Sequence, residues 1–234
     1  ETPEEEALLA MRKKQNLSTP LIESVQTLNS YGMEVVSGII MGLDTDTART
    51  GQAIQRFVEA SQIPLLTINV LYALPKTPLY DRLQKEGRLL SGEAANGRVA
   101  NVEFRLPYDE VVQMWHETVT TAYRPDNLFG RFRYQTENTF PNRIDVTPKL
   151  SFALIKYGMS VFTRVLWHCG MTSQWRKNFW DLCWPLMRQG RIEEVIHIGV
   201  VTHHLLTFTA EIEAGNWEAC FYADPSTVKV GKAA

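Results

Sequence analysis

Small and acidic residues follow two short apolar runs in the first third of the chain. Gly42, Asp44 and Asp46 follow the first run, and Ala73 and Pro75 follow the second. Both runs are rich in Val and Ile and stop at turn-forming residues, which is typical of strands buried on both faces of a parallel sheet. Ligands of parallel sheets bind beyond the carboxyl ends of the strands. The sequence therefore predicts a ligand-binding edge at these residues.

Gly42 and Asp46 each have two interpretations. Without a side chain at Gly42, a ligand's ring or phosphate can approach the backbone, but an ordinary tight turn also explains the glycine. Asp46 can cap the helix that is predicted to start at Thr47 by accepting amide hydrogen bonds. It can equally shape a ligand site, and capping alone would suffice to keep an acid there.

The cysteines and histidines do not form a metal-binding pattern. Cys169, Cys183 and Cys220 are far apart, so we expect small, reduced, mostly buried thiols and a cytoplasmic protein. His197 and His204 share a predicted helix face, but seven residues of helix rise by about 10.5 Å. One zinc ion, with bonds of about 2.0–2.1 Å to nitrogen, cannot easily bridge that distance.

Three segments resemble motifs of radical S-adenosylmethionine enzymes. Residues 38–47, GIIMGLDTDT, are similar to the Gly-x-Ile-x-Gly motif of the fifth barrel strand and the residues after it. Residues 74–80, LPKTPLY, are similar to the Pro-Gly-Thr-Pro-Leu-Tyr run after the sixth strand. The opening ETPEE is similar to the segment after the fourth strand in cobalamin-binding members, which include the hopanoid methylases. Four residues depart from the family pattern: Asp44 replaces Pro, Thr45 replaces Gly, Asp46 replaces Glu and Lys76 replaces Gly.

This resemblance implies a site for S-adenosylmethionine at the sheet edge. The positions that match the family's cofactor site are Glu1, Ile40, Gly42, Asp46, Leu71 and Ala73. In the family the adenine lies against backbone near the position of Ile40, and an acid matching Asp46 shapes the adenosine site. Leu71 and Ala73 would contribute backbone contacts, and Glu1 matches a polar position that reaches the ribose or amino-acid part of the cofactor.

The resemblance also implies a reaction that this chain cannot perform alone. In the family, three cysteines at CxxxCxxC spacing hold a [4Fe–4S] cluster, which cleaves S-adenosylmethionine to a 5′-deoxyadenosyl radical. Cobalamin-binding relatives then methylate an unactivated carbon of a small molecule or a lipid such as a hopanoid. This chain has no cysteines at CxxxCxxC spacing. The cluster ligands, the other barrel half and any cobalamin domain are therefore expected upstream. The chain alone is expected to be inactive.

The elements that position this edge change along the chain. Helix-periodic residues from 47 to 61 join the two strands into a strand–helix–strand unit. By the resemblance, residues 1–95 form the carboxyl-terminal half of a radical S-adenosylmethionine (β/α) barrel. Residues 96–234 are predicted to form a helical domain, after a linker at 91–101 that is rich in Gly, Ala and Asn. The predicted fold class is therefore α/β plus all-α.

Charge limits the partners that this chain can bind. The net charge is −2, so we expect no nucleic-acid partner. Residues 127–143 interleave arginines with aromatic residues, which suits single-stranded nucleic acid or a strap packed between domains with its arginines paired to acids. The near-neutral charge favours the strap.

The tryptophan-rich helices leave a second class of function open. Trp167, Trp175, Trp180 and Trp184 lie beside basic residues, as they would on a peripheral, lipid-touching surface. Helices packed together by large aromatic residues would have the same composition. The sequence contains no run of about 18 uninterrupted apolar residues, so it predicts no membrane span. The alternative to an enzyme is a non-catalytic α/β plus helical module that binds a protein partner or a membrane lipid surface.

Overall fold

The computed structural model describes residues 2–10, 19–90, 100–144 and 151–215. Its first part consists of α1 (Glu5–Ala10), α2 (Leu21–Ser30), β1 (Val36–Met41), α3 (Thr50–Ser61), β2 (Leu65–Val70) and α4 (Pro78–Lys85). Its second part consists of α5 (Tyr108–Ala122), α6 (Pro125–Asn138), α7 (Phe152–Val165), α8 (Arg176–Arg188) and α9 (Ile192–Glu213). A 3₁₀ turn (Phe140–Asn142) follows α6, and a π-helical segment (Leu166–Thr172) continues α7.

The two strands form a parallel pair with α3 as their crossover. Their register runs from Val36 opposite Leu65 to Met41 opposite Val70. This confirms the predicted strand–helix–strand unit. Only two strands occur in the described residues, so the barrel itself remains an expectation.

The prediction that both faces of the strands are buried is wrong for the described part of the chain. Ile39 and Ile68, which are register partners, are buried on the face that packs against helices. On the opposite face Val36 is 65% exposed and Thr67 is exposed. The sheet therefore has one covered face and one open face.

Helix α5 closes the outer edge of β2. Its residues Trp115 and Tyr123 are buried, and both donate hydrogen bonds to carbonyls of β2. The indole Nε1 of Trp115 lies 2.7 Å from the Ile68 carbonyl oxygen, and the Tyr123 hydroxyl donates to the Leu66 carbonyl. Two of the carbonyls that a further strand would use are thus already bonded.

The opposite edge of the sheet, along β1, carries no strand in the described ranges. In a parallel ladder successive residues point their backbone groups to alternate edges. The Met41 carbonyl faces β2, since it accepts from the Leu71 amide at 2.7 Å. The backbone groups of Val36, Gly38 and Ile40 therefore face away from β2.

The segment interpreted as a strap is a helix. Pro125 occupies the first turn of α6, where its missing amide costs nothing, and the helix continues to Asn138. Arg131 is buried and donates to the Ala122 carbonyl oxygen at 2.6 Å, not to an acid. Arg143 does pair with an acid, Glu34, at 3.2 Å. Since α6 contacts α2, α5, α8 and α9, the segment is a packing element between the two parts of the chain.

The last three helices pack around buried thiols. Cys169 and Cys183 are free and buried, as expected, whereas Cys220 lies outside the described residues. Helix α8 continues through Pro185, where a kink or an end was predicted. By length and composition α9 could cross a membrane, but it packs against α5, α6, α7 and α8. The predicted boundary near residue 95 lies in an undescribed segment and stays a prediction.

Candidate functional site

The turn after β1 is shaped by an aromatic residue from outside the strand unit. Gly42 has φ +92°, a conformation that favours glycine. A Cβ at Gly42 would lie 2.8 Å from Cε1 of Phe104. The ring that approaches this backbone is therefore the protein's own. Phe104 in turn stacks on Tyr108, with ring centroids 6.2 Å apart and an interplanar angle of 4°.

Asp46 binds the turn that precedes it and does not cap a helix. Its Oδ2 accepts from the amide of Gly42 at 2.7 Å and from that of Leu43 at 3.1 Å. The capping interpretation is wrong, because α3 begins only at Thr50. The side chain of Thr50 instead accepts from the Thr47 amide at 3.0 Å. Asp46 thus fixes the loop that ends β1.

The second oxygen of Asp46 is a buried acceptor without a partner among the described residues. The residue is 7% exposed, and its Oδ1 makes no hydrogen bond. Burial raises the pKa of Asp46 to about 6; the amides of Gly42 and Leu43 oppose the rise, and Glu4 and Asp44 add to it. Chemically, Oδ1 can accept a hydrogen bond from a ligand hydroxyl or amino group, or donate one when the acid is protonated.

Asp44, two residues earlier, serves a different purpose. Its carboxylate is held by Arg88 at 2.7 Å and Arg82 at 2.8 Å. Burial acts to raise the pKa of Asp44, but hydrogen bonds from Arg88 and Arg82 outweigh it, so the pKa is lowered. The ionised Asp44 ties the β1 loop to the end of α4. Two neighbouring acids therefore have opposite electrostatic environments.

Three of the backbone groups predicted to contact a ligand at the end of β2 are already bonded. The Leu71 amide donates to the Met41 carbonyl. The Asn101 side chain binds Ala73 twice, accepting from its amide at 2.8 Å and donating to its carbonyl at 2.9 Å. Asn101 was missed because it falls in the Asn-rich segment that we predicted as a linker. Only its long-range pairing with Ala73 reveals its role.

Ile40 is the predicted site residue whose side chain lies on the open face of the sheet. It is partly exposed and stands opposite Asn69 in the register. Asn69 places an amide on the same face, and sequence analysis did not select it. Glu1 lies outside the described residues. The structure thus joins Gly42 and Asp46 in one turn and places Ile40 beside Asn69.

The thiols and imidazoles of the described residues do not form a metal centre. No group of three or more His, Cys, Asp or Glu side chains in those residues could hold an ion. Burial raises the pKa of the Cys169 thiol to about 11 and that of Cys183 to about 12. Cys169 and Cys183 also lack the CxxxCxxC spacing of an iron–sulfur cluster site. His197 instead contacts Glu34, with 3.0 Å between Nε2 and Oε2.

Comparisons with known proteins give a family and two relatives. A family described as a domain of unknown function (DUF4070) matches residues 77–217. A hopanoid C-2 methylase of Rhodopseudomonas palustris (strain TIE-1) is 45% identical over 225 residues, covering 95% of this chain and 42% of the relative. An uncharacterized methyltransferase of Synechocystis sp. is 27% identical over 226 residues, which cover 91% of this chain and 38% of that relative. The chain thus spans less than half of each relative. No solved structure matches significantly.

Proposed function

The chain belongs to the DUF4070 family, and from that membership, with its similarity to a hopanoid methylase, we propose that it is the carboxyl-terminal part of a radical S-adenosylmethionine methylase. The similarity itself confirms the predicted resemblance to the hopanoid-methylase group. In this proposal β1 and β2 are the last strands of the barrel. The helices from α6 onward form the wall behind it.

The observation that carries the proposal is the difference between the two sheet edges. The β2 edge is closed by Trp115 and Tyr123, as the terminal strand of an open barrel must be. The β1 edge and the face bearing Val36 and Ile40 are open, which leaves room for preceding strands and for a lumen. A parallel strand pair that is complete on one side only fits the end of a larger sheet.

The cofactor that this edge would hold is S-adenosylmethionine. Asp46 Oδ1 is a buried acceptor that a hydroxyl or amino group could satisfy. Ile40 offers apolar surface for a base on the open face, and Asn69 offers an amide beside it. When bound with a cluster, this cofactor supplies carbon-radical and methyl-transfer chemistry. The part of this chain is to bind and orient it and to exclude water.

The metal cofactors would be held elsewhere in the protein. Cys169 and Cys183 lack the CxxxCxxC spacing, and no group of metal ligands occurs in the described residues, so the ligands of a [4Fe–4S] cluster would come from elsewhere in the protein. We place a CxxxCxxC segment, and a cobalamin domain if the reaction is cobalamin-dependent methylation, before Glu1. By analogy with the Rhodopseudomonas relative, we propose a polycyclic lipid such as a hopanoid as substrate and the cytoplasm as the location.

Purification of the protein encoded by the complete reading frame, under anaerobic conditions, tests this proposal. We expect a CxxxCxxC segment upstream of Glu1, an iron–sulfur signal in the electron paramagnetic resonance spectrum after reduction, and release of 5′-deoxyadenosine from S-adenosylmethionine. Asp46→Asn should weaken binding of S-adenosylmethionine about tenfold, the loss of one hydrogen bond to a charged group. Asp81→Asn, on the exposed surface of α4, is the matched control.

Two results would contradict the proposal. A reading frame without the three cysteines would leave no source for the cluster. A protein that holds a cluster but binds the cofactor equally well with Asp46→Asn would keep the enzyme assignment and remove Asp46 from the site.

A further inference from the structure

The first two turns of α7 are apolar and uncovered. Every residue from Ser151 to Tyr157 is exposed, with Phe152 at 84% and Tyr157 at 69%. Successive residues of a helix are about 100° apart, so these side chains point in all directions around the axis. We call the following exposed residues the α7 tip: Phe152, Leu154, Ile155, Tyr157 and Met159.

Further exposed aromatic and apolar side chains follow along the same helical stretch and on α8. Trp167 and Met171, both in that segment, are exposed. Trp180 packs on the segment and donates from Nε1 to the Gly170 carbonyl at 2.8 Å. Exposed Trp184 lies beside Trp180, with ring centroids 6.2 Å apart. Exposed tryptophans and an apolar helix end thus lie on one continuous helical stretch and its neighbour.

Basic residues outnumber acids around this surface. Residues 151–180 contain four Lys or Arg and no Asp or Glu. The acid that follows them, exposed Asp181, lies on α8 between Trp180 and Trp184. Within the described ranges, Lys156, Arg164 and Arg176 form no ion pair. The acid that lines the same groove as Arg164 is Glu211 on α9, in a cleft of about 610 Å³ between α7 and α9.

We propose that the α7 tip inserts into the surface of an anionic phospholipid bilayer. Apolar side chains here surround the helix axis, so a flat contact with a protein partner or a second copy of the chain would leave some of them in water. A bilayer interface can solvate all of them at once. Tryptophans prefer the headgroup region, and unpaired Lys and Arg are attracted to anionic headgroups. This inference does not rest on the proposed radical chemistry.

Sedimentation of the full chain with lipid vesicles tests this surface. The vesicles are pure phosphatidylcholine or a 3:1 mixture of phosphatidylcholine and phosphatidylglycerol at about 0.1 M salt, where charge is only partly screened. We expect at least tenfold tighter binding to the anionic vesicles. The double variant F152S/Y157S should lose at least tenfold of that binding, and Lys156→Glu should reduce it several-fold. Tyr31→Ser removes an equally exposed tyrosine, 70% exposed, at the end of α2 and should bind as wild type does.

Three results would overturn the proposal. The first is no sedimentation above a vesicle-free control. The second is a failure of either comparison. In one, the wild-type chain binds neutral and anionic vesicles equally. In the other, F152S/Y157S binds anionic vesicles as tightly as wild type does, with an unchanged circular dichroism spectrum. The third is a wild-type dimer that ignores vesicles and becomes monomeric in F152S/Y157S, which would make the α7 tip a contact between copies. Because the substituted side chains are exposed, their loss leaves the packed core intact.

Discussion

Strands β1 and β2 have the same length and pair along their whole length, yet their surroundings are opposite. The outer edge of β2 is sealed by two buried side chains of α5, Trp115 and Tyr123. The outer edge of β1 carries no strand in the described ranges, and its first residue, Val36, is largely exposed. The difference teaches that, within the described residues, helices seal one edge of the sheet and leave the other edge unpaired.

The open edge does not mean that β1 is loosely held. Its carboxyl end is fixed by Asp46, which binds two amides of the following turn, and by Phe104, which fills the space beside Gly42. The strand is therefore ordered by contacts at its end, while one of its long sides remains available. This combination would suit the strand pairing that the proposed barrel requires.

Removing the seal on β2 should have the largest effect. Trp115→Ala deletes a fully buried side chain and leaves the Ile68 carbonyl without its donor. The cavity is expected to lower the free energy of unfolding by about 3–5 kcal/mol, as for other Trp→Ala changes in cores. Urea denaturation of the full chain, followed by circular dichroism, measures the loss.

Trp167→Ala is the matched control, since Trp167 is exposed in the π-helical segment. It should cost about 0.5 kcal/mol or less, as exposed substitutions usually do. Equal losses in the two variants would mean that α5 does not seal the β2 edge.

A methyl group at the end of β1 tests how tightly that end is held. Gly42→Ala forces a side chain into a positive φ, which costs roughly 1–2 kcal/mol, and pushes it into the Phe104 ring, which costs about 1–3 kcal/mol more. Gly87→Ala has a similar φ of +69° but no atom within 4 Å. It should therefore show the first cost alone.

The two parts of this effect can be separated in a double-mutant cycle. In a Phe104→Leu background the ring is gone, so Gly42→Ala should cost no more than Gly87→Ala. An undiminished cost in that background would show that Phe104 does not occupy the space beside Gly42. Chemical denaturation of the four variants provides the measurement.

The contribution of Asp46 to the free energy of unfolding should fall as the pH rises. Its folded pKa of about 6 lies above the ordinary value of 3.8, so between about pH 4 and pH 6 the folded chain holds a proton that the unfolded chain has released. The free energy of unfolding therefore falls across this window, by up to about 3 kcal/mol, and the contribution stays lost above it.

Asp46→Asn removes this titration while keeping an oxygen that can accept from Gly42 and Leu43. Thermal denaturation from pH 4 to pH 8 should show that the variant gains stability relative to wild type as the pH rises to 6. Asp81→Asn, on the exposed surface of α4, is the matched control. Parallel curves for wild type and Asp46→Asn would mean that Asp46 is not buried in solution.

The elements that could be predicted from sequence are those determined by local patterns. The strand–helix–strand unit follows from apolar runs and turn residues that lie close together in the chain. Helix α6 was missed because polar Arg131 and Gln135 are among its buried residues, which breaks the apolar period. Their burial depends on carbonyls of Ala122 and Gln62, contacts that a local pattern does not encode.

The turn that forms the candidate site was predicted in position, but its contacts were not. The turn residues Gly42 and Asp46 could be found because strand ends are visible in the sequence. Phe104 and Asn101, which complete the edge, come from more than 25 residues away and could not. The expected burial of both sheet faces failed for a related reason: Val36 and Ile40 are apolar, yet nothing described in this chain covers them.

Val36 gives the smallest expected effect and the sharpest test of whether a further strand pairs with β1. In the chain by itself Val36 is 65% exposed, so Val36→Ser should change the free energy of unfolding by about 0.5 kcal/mol or less. If a preceding strand pairs with β1 in the intact protein, side chains of that strand cover Val36. The same substitution should then cost about 1–2 kcal/mol, because buried apolar surface is lost.

The comparison between the two contexts matters more than either value, since the substitution and its intrinsic strand preference are the same in both. Denaturation of wild type and Val36→Ser, in the chain and in the protein from the complete reading frame, gives the difference directly. Thr67→Ala, on the same face of β2, should behave alike, because a lumen would enclose both residues. Equal, small effects in both contexts would show that nothing covers this face, and the open side of the sheet would then be a surface of the finished protein.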